Sequence, residues 1–284
     1  MFAAAVKVVS QFTRPVVVSI AKTDGTLTSS MGAFVVVNRD GWILTAKHMV
    51  DLDAKLSARK SSYHSYQAEV AAIQADKGLL STQKRKKIAK LGRATDDSII
   101  DYGYWWGHDG WTLAEAHLVP DADLALCRLD GFDGALVSAY PTFKDPAQGI
   151  DPGTSICRLG FPFQGVKQQF DNGVFQIDPS TLVFFPNEGI FTRIVVVSNA
   201  ASMIETSSPG LRGQSGGPLF DRHGTVWGIQ SLTGHLALGF SPPVPGGKSG
   251  EVEHQFLNVG RGADPATIVR LLEEKAVTFD RSAY

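Results

Sequence analysis

The sequence predicts an all-β protein built around two cores. Short runs rich in Val, Ile and Phe recur between Gly- and Asp-containing turn signals, and glycine accounts for 29 of the 284 residues. A chain of this length exceeds a minimal single domain, which favours two cores of similar size. Residues 130–152 are rich in Gly, Asp and Pro and indicate a crossover. The predicted units are therefore residues 1–140 and 141–284.

Composition gives no reason to expect attraction to nucleic acid or to an anionic membrane, because the net charge is only −1. The apolar residues 1–10 lack the basic start and long apolar run of a signal peptide, and no stretch approaches the roughly 20 apolar residues of a membrane span. Cys127 and Cys157 lie in strand-like runs without metal-ligand spacing. We expect two buried thiols, no metal, no cofactor and a cytoplasmic location.

The first unit begins with three predicted strands separated by tight turns. The strands cover 15–21, 32–37 and 42–48. Residues 38–41 give a strong hairpin signal. The third strand brings His48 to its end, after Thr45-Ala-Lys. A lone histidine in such a position is more often structural than catalytic, but the strand, hairpin, strand pattern before it makes His48 a candidate.

Residues 54–118 interrupt this rhythm and are predicted to be an insertion. Residues 65–76 have apolar side chains at helical spacing. Residues 77–93 contain no acidic side chain and seven basic ones: Lys77, Lys84, Arg85, Lys86, Lys87, Lys90 and Arg93. This run is either the solvated face of a second helix or a docking surface for an acidic protein or nucleic acid. The absence of interleaved aromatic residues weakens the nucleic-acid option.

Aromatic residues are concentrated between 102 and 111, where Tyr and Trp alternate with Gly. We expect this cluster on a glycine-rich loop. It either covers an apolar edge of the fold or forms an aromatic lip on a substrate groove.

Two further candidates for chemistry follow. Ser215 lies in the glycine-rich turn 213–218, where small neighbours let a carbonyl approach and where the N–H groups of Gly213 and Ser215 can converge on an oxyanion. The same composition also suits a plain β-turn. Asp123 lies within a predicted strand at 121–129, near its start, where an aspartate is usually a cap or turn residue. If it lies behind His48, its carboxylate accepts the Nδ1–H and fixes the tautomer.

Taken in chain order, His48 after Thr45-Ala-Lys, Asp123 in Asp-Leu-Ala-Leu and Ser215 in Gly-Gln-Ser-Gly-Gly-Pro resemble the trypsin-like (chymotrypsin-fold) serine proteases. The disulfide-poor, HtrA-like branch is the most similar. The resemblance covers the chain except 54–118, and implies two six-stranded antiparallel β-barrels with the site between them. A closing helix is expected at 266–275, capped by Asp264. We expect no PDZ domain after it.

The resemblance implies a serine endopeptidase that works through an acyl-enzyme. His48 is the base, Asp123 orients it, and Gly213 and Ser215 stabilise the oxyanion. The substrate-binding residues implied are Pro209, Ser231, Leu232 and Thr233. They predict a small-to-medium apolar side chain in the first pocket, unless Glu205 reaches that pocket.

Gln214 departs from secreted relatives, which commonly carry Asp before the nucleophile to pair with a new N-terminus. Activation by N-terminal insertion is therefore not expected, and residues 205–213 must be ordered in another way. Regulation by a partner bound to the basic insertion, with few substrates, is one possibility. A non-catalytic protein-binding scaffold and a serine esterase are the alternatives.

Overall fold

The structure is a computed structural model that describes residues 1–91, 98–163, 165–246, 248 and 252–284. In these ranges the chain is mostly β, with four helices. The helices are α1 (Ala3–Val9), α2 (Lys47–Ala75), α3 (Ser81–Lys90) and α4 (Pro265–Glu274). Arg93 of the basic run lies outside the described residues.

The first sheet contains six antiparallel strands in the order β4-β1-β2-β3-β6-β5. They are β1 (Thr13–Lys22), β2 (Leu27–Val36), β3 (Trp42–Ala46), β4 (Ile99–Trp105), β5 (Thr112–Val119) and β6 (Leu124–Asp130). The three strands predicted before residue 50 are β1 to β3. The third ends two residues early, because α2 begins at Lys47 and places His48 in its first turn.

The segment between β3 and β4, residues 47–98, is shorter than the expected insertion at 54–118. Residues 99–105 and 112–119 return as β4 and β5, which pair with β1 and β6. The aromatic run therefore begins in a strand, and its expected placement on a loop is wrong for that part. Aromatic residues favour strands, and here they pack on α2: the Tyr102 hydroxyl donates to Asp53 Oδ1 at 3.0 Å and that of Tyr104 to Met49 O at 3.1 Å.

The second half forms a ring of six antiparallel strands. Its order is β13-β8-β11-β12-β15-β14, and pairing between β13 and β14 closes it. The strands of this half are β7 (Thr142–Phe143), β8 (Ser155–Arg158), β9 (Gln168–Asp171), β10 (Val174–Ile177), β11 (Asn187–Ser198), β12 (Ala201–Thr206), β13 (Pro218–Phe220), β14 (Val226–Ala237), β15 (Phe256–Ala263) and β16 (Asp280–Arg281). The two-residue strands β7 and β16 extend the sheet with parallel pairing. Two curled sheets confirm the predicted fold class.

Strands β9 and β10 form a separate hairpin that reaches from the second half to the first sheet. Phe175 on β10 lies against Gly103 on β4, where a Cβ would stand 2.9 Å from the Phe175 ring. Gly103 therefore provides the space that lets the hairpin pack on β4.

The two ends of the described chain pack on the same core. Phe2 meets Phe220 edge to face with ring centroids 6.0 Å apart. At the other end, the Asp264 side chain accepts a hydrogen bond from Thr267 N at 2.9 Å and caps α4, as predicted.

Cys127 and Cys157 are free and buried, and burial raises their pKa values to about 12 and about 11, respectively. Within the described ranges, no helix has the length and apolarity needed to cross a membrane.

Candidate active site

His48 and Asp123 are brought together by the start of α2 and the turn before β6. His48 Nδ1 lies 2.6 Å from Asp123 Oδ2, and His48 N donates to Asp123 Oδ1 at 2.9 Å. Lys47 N donates to Asp123 O at 2.9 Å. The helix has no side-chain cap of its own at Ala46, so Asp123 supplies one from 75 residues away. The same carboxylate thus fixes both the backbone and the ring of His48.

Asp123 occupies an unusual backbone position for this purpose. Its φ of 48° and ψ of 42° are left-handed, a region that favours Gly, Asn and Asp. It precedes β6, and does not lie within the strand as its sequence pattern predicts. Burial opposes the charged form of the carboxylate, but hydrogen bonds from His48 and Ser231 outweigh this and lower the pKa of Asp123 below its usual value.

Ser215 lies on a turn that is bonded to both halves of the molecule. Ala33 N on β2 donates to Ser215 O at 2.7 Å, and Gly216 N donates to Gln230 O on β14 at 2.7 Å. A Cβ on Gly216, whose φ is +84°, would meet Ala33 O at 2.0 Å, so glycine is required for this close approach. The Ser215 hydroxyl is directed to Ser231 O at 3.4 Å, a long hydrogen bond that leaves it free to rotate.

The N–H groups of Gly213 and Ser215 suit an oxyanion. In the part of the chain that the structure describes, neither N–H donates to a protein acceptor, and both residues line the same cavity as His48. Gly213 has a φ of +95°, and a Cβ there would lie 2.5 Å from Phe161 O. Phe161 N in turn donates to Gly213 O at 2.9 Å, which holds the peptide in place. Both residues thus have an N–H group that no described acceptor occupies, as the expected oxyanion role requires.

A cavity of about 730 Å³ opens beside these groups. The described residues that line it are Ser29, Ser30, Met31, His48, Met49, Leu52, Phe161, Phe163, Gly165, Val166, Arg212, Gly213 and Ser215. They come from β2, from α2, and from the segments that contain Phe161 and Gly213. Among the described residues, no group of three or more His, Cys, Asp and Glu is placed to hold a metal ion.

Comparison with known proteins gives one match to a family model, that of the trypsin-like peptidase domain, over residues 32–229. The chain belongs to this family. No curated protein sequence matches it. Family and fold together support a serine protease.

Solved structures that resemble the chain do so at low sequence identity, as three of them illustrate. The HtrA-type protease AlgW with a tripeptide is 16% identical, covering 98% of this chain and 64% of that chain with a TM-score of 0.49. AlgW with a decapeptide is 14% identical, covering 96% of this chain and 67% of that chain with a TM-score of 0.50. The Rv3671c protease from M. tuberculosis in its active form is 12% identical, covering 97% of this chain and 86% of that chain with a TM-score of 0.50. The chain thus spans about two thirds of the AlgW chain. At these identities, the two matches with a TM-score of 0.50 show the fold alone.

Arg158 is a residue of this trypsin-like peptidase that sequence reasoning missed. It is 1% exposed, yet its guanidinium donates to Ser208 O at 2.6 Å, Ser208 Oγ at 2.7 Å and Pro209 O at 3.3 Å. It also bonds Thr206 Oγ1 and donates to Gln230 Oε1 at 2.7 Å. Burial lowers the pKa of Arg158 to about 10. Residues 206–209, which precede Ser215, are therefore held from inside the second barrel.

Gln214 completes the ordering of that segment in the trypsin-like peptidase. Its side chain is fully buried, and Leu211 N donates to Gln214 Oε1 at 3.0 Å. Gln214 N donates to Leu211 O at 3.0 Å, which closes a tight turn before Ser215. A neutral amide thus occupies the position where secreted relatives carry a charged aspartate.

The residues predicted to bind substrate, Pro209 and 231–233, are not among the described residues that line the cavity. Pro209 O accepts from Asn187 Nδ2 at 3.1 Å, and the Thr233 hydroxyl donates to Gly210 O at 2.7 Å. That bond joins the two walls of the predicted first pocket. Leu232 is 38% exposed on β14.

Glu205 does not compete for the first pocket, because two arginines bind its carboxylate. Arg193 Nε lies 2.8 Å from Oε1 and Arg261 Nη2 lies 2.7 Å from Oε2, while the Glu205 side chain is 3% exposed. Burial opposes its charge, but hydrogen bonds from Arg193 and Arg261 lower the pKa of Glu205 overall.

Much of the basic run forms α3, as the second-helix interpretation predicts. Arg85, Lys86 and Lys87 are exposed, and Lys84 Nζ donates to Gln74 O at the end of α2 at 2.6 Å. The helix therefore presents a positive face that is attached to the same long helix as His48.

Proposed function

We propose that this trypsin-like peptidase is an active serine endopeptidase with His48, Asp123 and Ser215 as its triad. The observation that carries the proposal is the Asp123 carboxylate. It bonds His48 through both the ring and the backbone, beside a cavity lined by Gly213 and Ser215, whose N–H groups have no acceptor among the described residues. A scaffold protein has no physical need for this combination.

In the proposed mechanism, the Ser215 hydroxyl rotates from Ser231 O toward His48 Nε2 as substrate binds. His48 takes its proton while Oγ attacks the peptide carbonyl, and the N–H groups of Gly213 and Ser215 stabilise the oxyanion. His48 then donates the proton to the leaving amine, which leaves an acyl-enzyme that water hydrolyses. Asp123 holds the tautomer with Nδ1–H and stabilises the imidazolium.

The acyl part of the substrate is proposed to bind along Ser231, Leu232 and Thr233 as an added strand, with Pro209 at the first pocket. The bond from Thr233 to Gly210 O narrows this pocket, and Gln230 occupies its base, since a Cβ on Gly210 would lie 2.3 Å from Gln230 Nε2. These contacts favour a small-to-medium apolar side chain. AlgW was solved with a tripeptide and with a decapeptide, which agrees with peptides as the substrate class.

Regulation is proposed to act through α3. Its exposed Arg85, Lys86 and Lys87 fit an acidic segment of a partner protein, and the bond from Lys84 to Gln74 O links α3 to the helix that begins at His48. Polyglutamate should bind the protein and change peptidase activity, and reversing these three charges should abolish both effects. An unchanged response in the charge-reversed variant would contradict the docking site.

Nucleic acid is not expected to bind, and the cytoplasmic location stays a prediction.

Labelling with a fluorophosphonate probe tests the proposal. We expect labelling of the native protein, none of Ser215→Ala, and full labelling of Ser62→Ala, which removes an exposed serine from α2. Mass spectrometry of a peptide mixture then measures cleavage. Absence of Ser215-dependent labelling would favour the scaffold. Labelling and ester hydrolysis without peptide cleavage would favour the esterase.

A further inference from the structure

The cavity beside Ser215 has apolar walls contributed by three parts of the chain. Met31 lies on β2, and Met49 and Leu52 lie on the first two turns of α2. The remaining apolar lining residues are Phe161, Phe163 and Val166. Among the described lining residues, Arg212 is the one with a permanent charge, and it is exposed. Apolar side chains that converge on a reacting hydroxyl indicate a binding site for apolar substrate groups.

The position of the cavity decides which part of a substrate it can hold. Pro209 and Ser231 to Thr233, proposed to bind the acyl part, do not line it. A peptide that lies along β14 and passes Ser215 must continue past Gly213 and His48, and that path enters the cavity. His48, which gives its proton to the leaving amine, also lies on this side.

We propose that this cavity binds the residues on the leaving-amine side of the scissile bond and selects bulky apolar side chains there. The inference rests on the proposed endopeptidase function and adds a substrate class to it. Burying one large apolar side chain here favours cleavage by about 10- to 100-fold over glycine.

Peptides that are identical up to the scissile bond and differ only after it test this selection. Leu or Phe in the first two positions after the bond should give kcat/KM about 10- to 100-fold above Gly and above Asp. Val166→Glu should abolish the preference for Leu over Gly. Val196→Glu, at a 76% exposed site on β11 outside the cavity, should keep it.

Equal kcat/KM for Leu, Gly and Asp peptides in an enzyme that labels at Ser215 would overturn the selection and leave the peptidase standing. A protein that neither labels nor cleaves would instead contradict the proposed function itself. The two failures are therefore distinguishable by the labelling reaction.

A second observation stands independently on Arg158. Its donors bond Thr206, both Ser208 Oγ and O, Pro209 O and the Gln230 side chain. One buried group therefore joins residues 206–209, which precede Ser215, to β14. None of these acceptors is a carboxylate. The cation is therefore held by neutral dipoles whose arrangement depends on the shape of the segment.

We infer that Arg158 is a positioning residue that keeps residues 206–213 in the shape that catalysis needs, in the place of an inserted N-terminus. Removing it frees the segment and moves the Gly213 and Ser215 donors, while the triad stays intact. The loss should therefore fall on kcat more than on KM.

Arg158→Met should lower kcat by roughly 10- to 100-fold and speed amide exchange across 206–213, and added guanidinium should restore part of both. Arg158→Lys should lie closer to Arg158→Met than to the native protein, because an ammonium cannot span these acceptors. If Arg158→Met does not fold, Ser208→Ala removes a single acceptor and should give a smaller change of the same kind. Native kcat and native exchange in Arg158→Met, or in Ser208→Ala in its place, would overturn the inference.

Discussion

The Ser231 hydroxyl donates to Asp123 Oδ2 at 2.6 Å, the same oxygen that lies 2.6 Å from His48 Nδ1. This bond joins β14 of the second half to Asp123 of the first half. It also lowers the pKa of Asp123, second to the larger effect of the His48 bond among the hydrogen bonds that oppose burial.

Ser231→Ala should lower kcat/KM by roughly 10-fold, because the loss of one hydrogen bond to a charged group weakens the orientation of His48. Steady-state kinetics on a peptide substrate measures the change. Ser180→Ala is the matched control, since its hydroxyl bonds Asp178 Oδ1 at 2.6 Å on an exposed turn. Equal loss in both variants would show that the effect is not specific to Asp123.

Asp123→Asn should lower kcat by roughly 10⁴-fold, since an amide at this position of a triad favours the wrong histidine tautomer. Steady-state kinetics on a peptide substrate measures the change.

The stability that Asp123 contributes should also depend on pH. The pKa of Asp123 is lower in the folded state, so its contribution is present above the usual carboxyl pKa and is lost as pH falls through the folded value. The Tm difference between native protein and Asp123→Asn should therefore be largest near pH 7 and shrink below about pH 4. A difference that grows in acid would contradict this sign.

Gly213→Ala should reduce kcat by about 10²–10³-fold, because the new Cβ would lie 2.5 Å from Phe161 O and displace an oxyanion donor. Gly25→Ala provides the control: Gly25 also has a positive φ of +84°, but a Cβ there meets nothing within 4 Å. We expect that control to lose only about 1 kcal/mol of stability and to retain activity. Measuring kcat and Tm for both variants separates backbone strain from displacement of the donor.

Glu205→Gln should destabilise the fold by about 3 kcal/mol, because Arg193 and Arg261 then lose a buried carboxylate that both bind. Urea unfolding at pH 7 measures the change. Glu188→Gln, at an exposed site on β11, should stay within about 0.5 kcal/mol of the native protein. A cost for Glu205→Gln as small as that of Glu188→Gln would show that the arginines find other partners.

Local patterns in the sequence predicted the elements that position the site. The hairpin at 38–41 and the glycines of 213–218 have short-range causes, so the strand before His48 and the turn of Ser215 could be predicted. The helix that contains His48 begins at Lys47 because Asp123 caps it from 75 residues away, and no local pattern encodes such a cap. The same holds for Arg158, whose acceptors lie 48 to 72 residues further along the chain. Side-chain networks between distant strands leave no periodic signal.

The larger hydrophobic core contains side chains from both sides of residue 140, the predicted boundary between the two units. One continuous cluster of buried side chains includes Val36 and Leu126 of the first sheet together with Phe220, Val226 and Ile268 of the second half. Phe2 joins the same cluster through its contact with Phe220. A smaller cluster, which includes Ile156 and Trp227, lies within the second half alone. Because the larger cluster spans both halves, we expect them to unfold together, and heating should give a single calorimetric transition whose van't Hoff and calorimetric enthalpies agree.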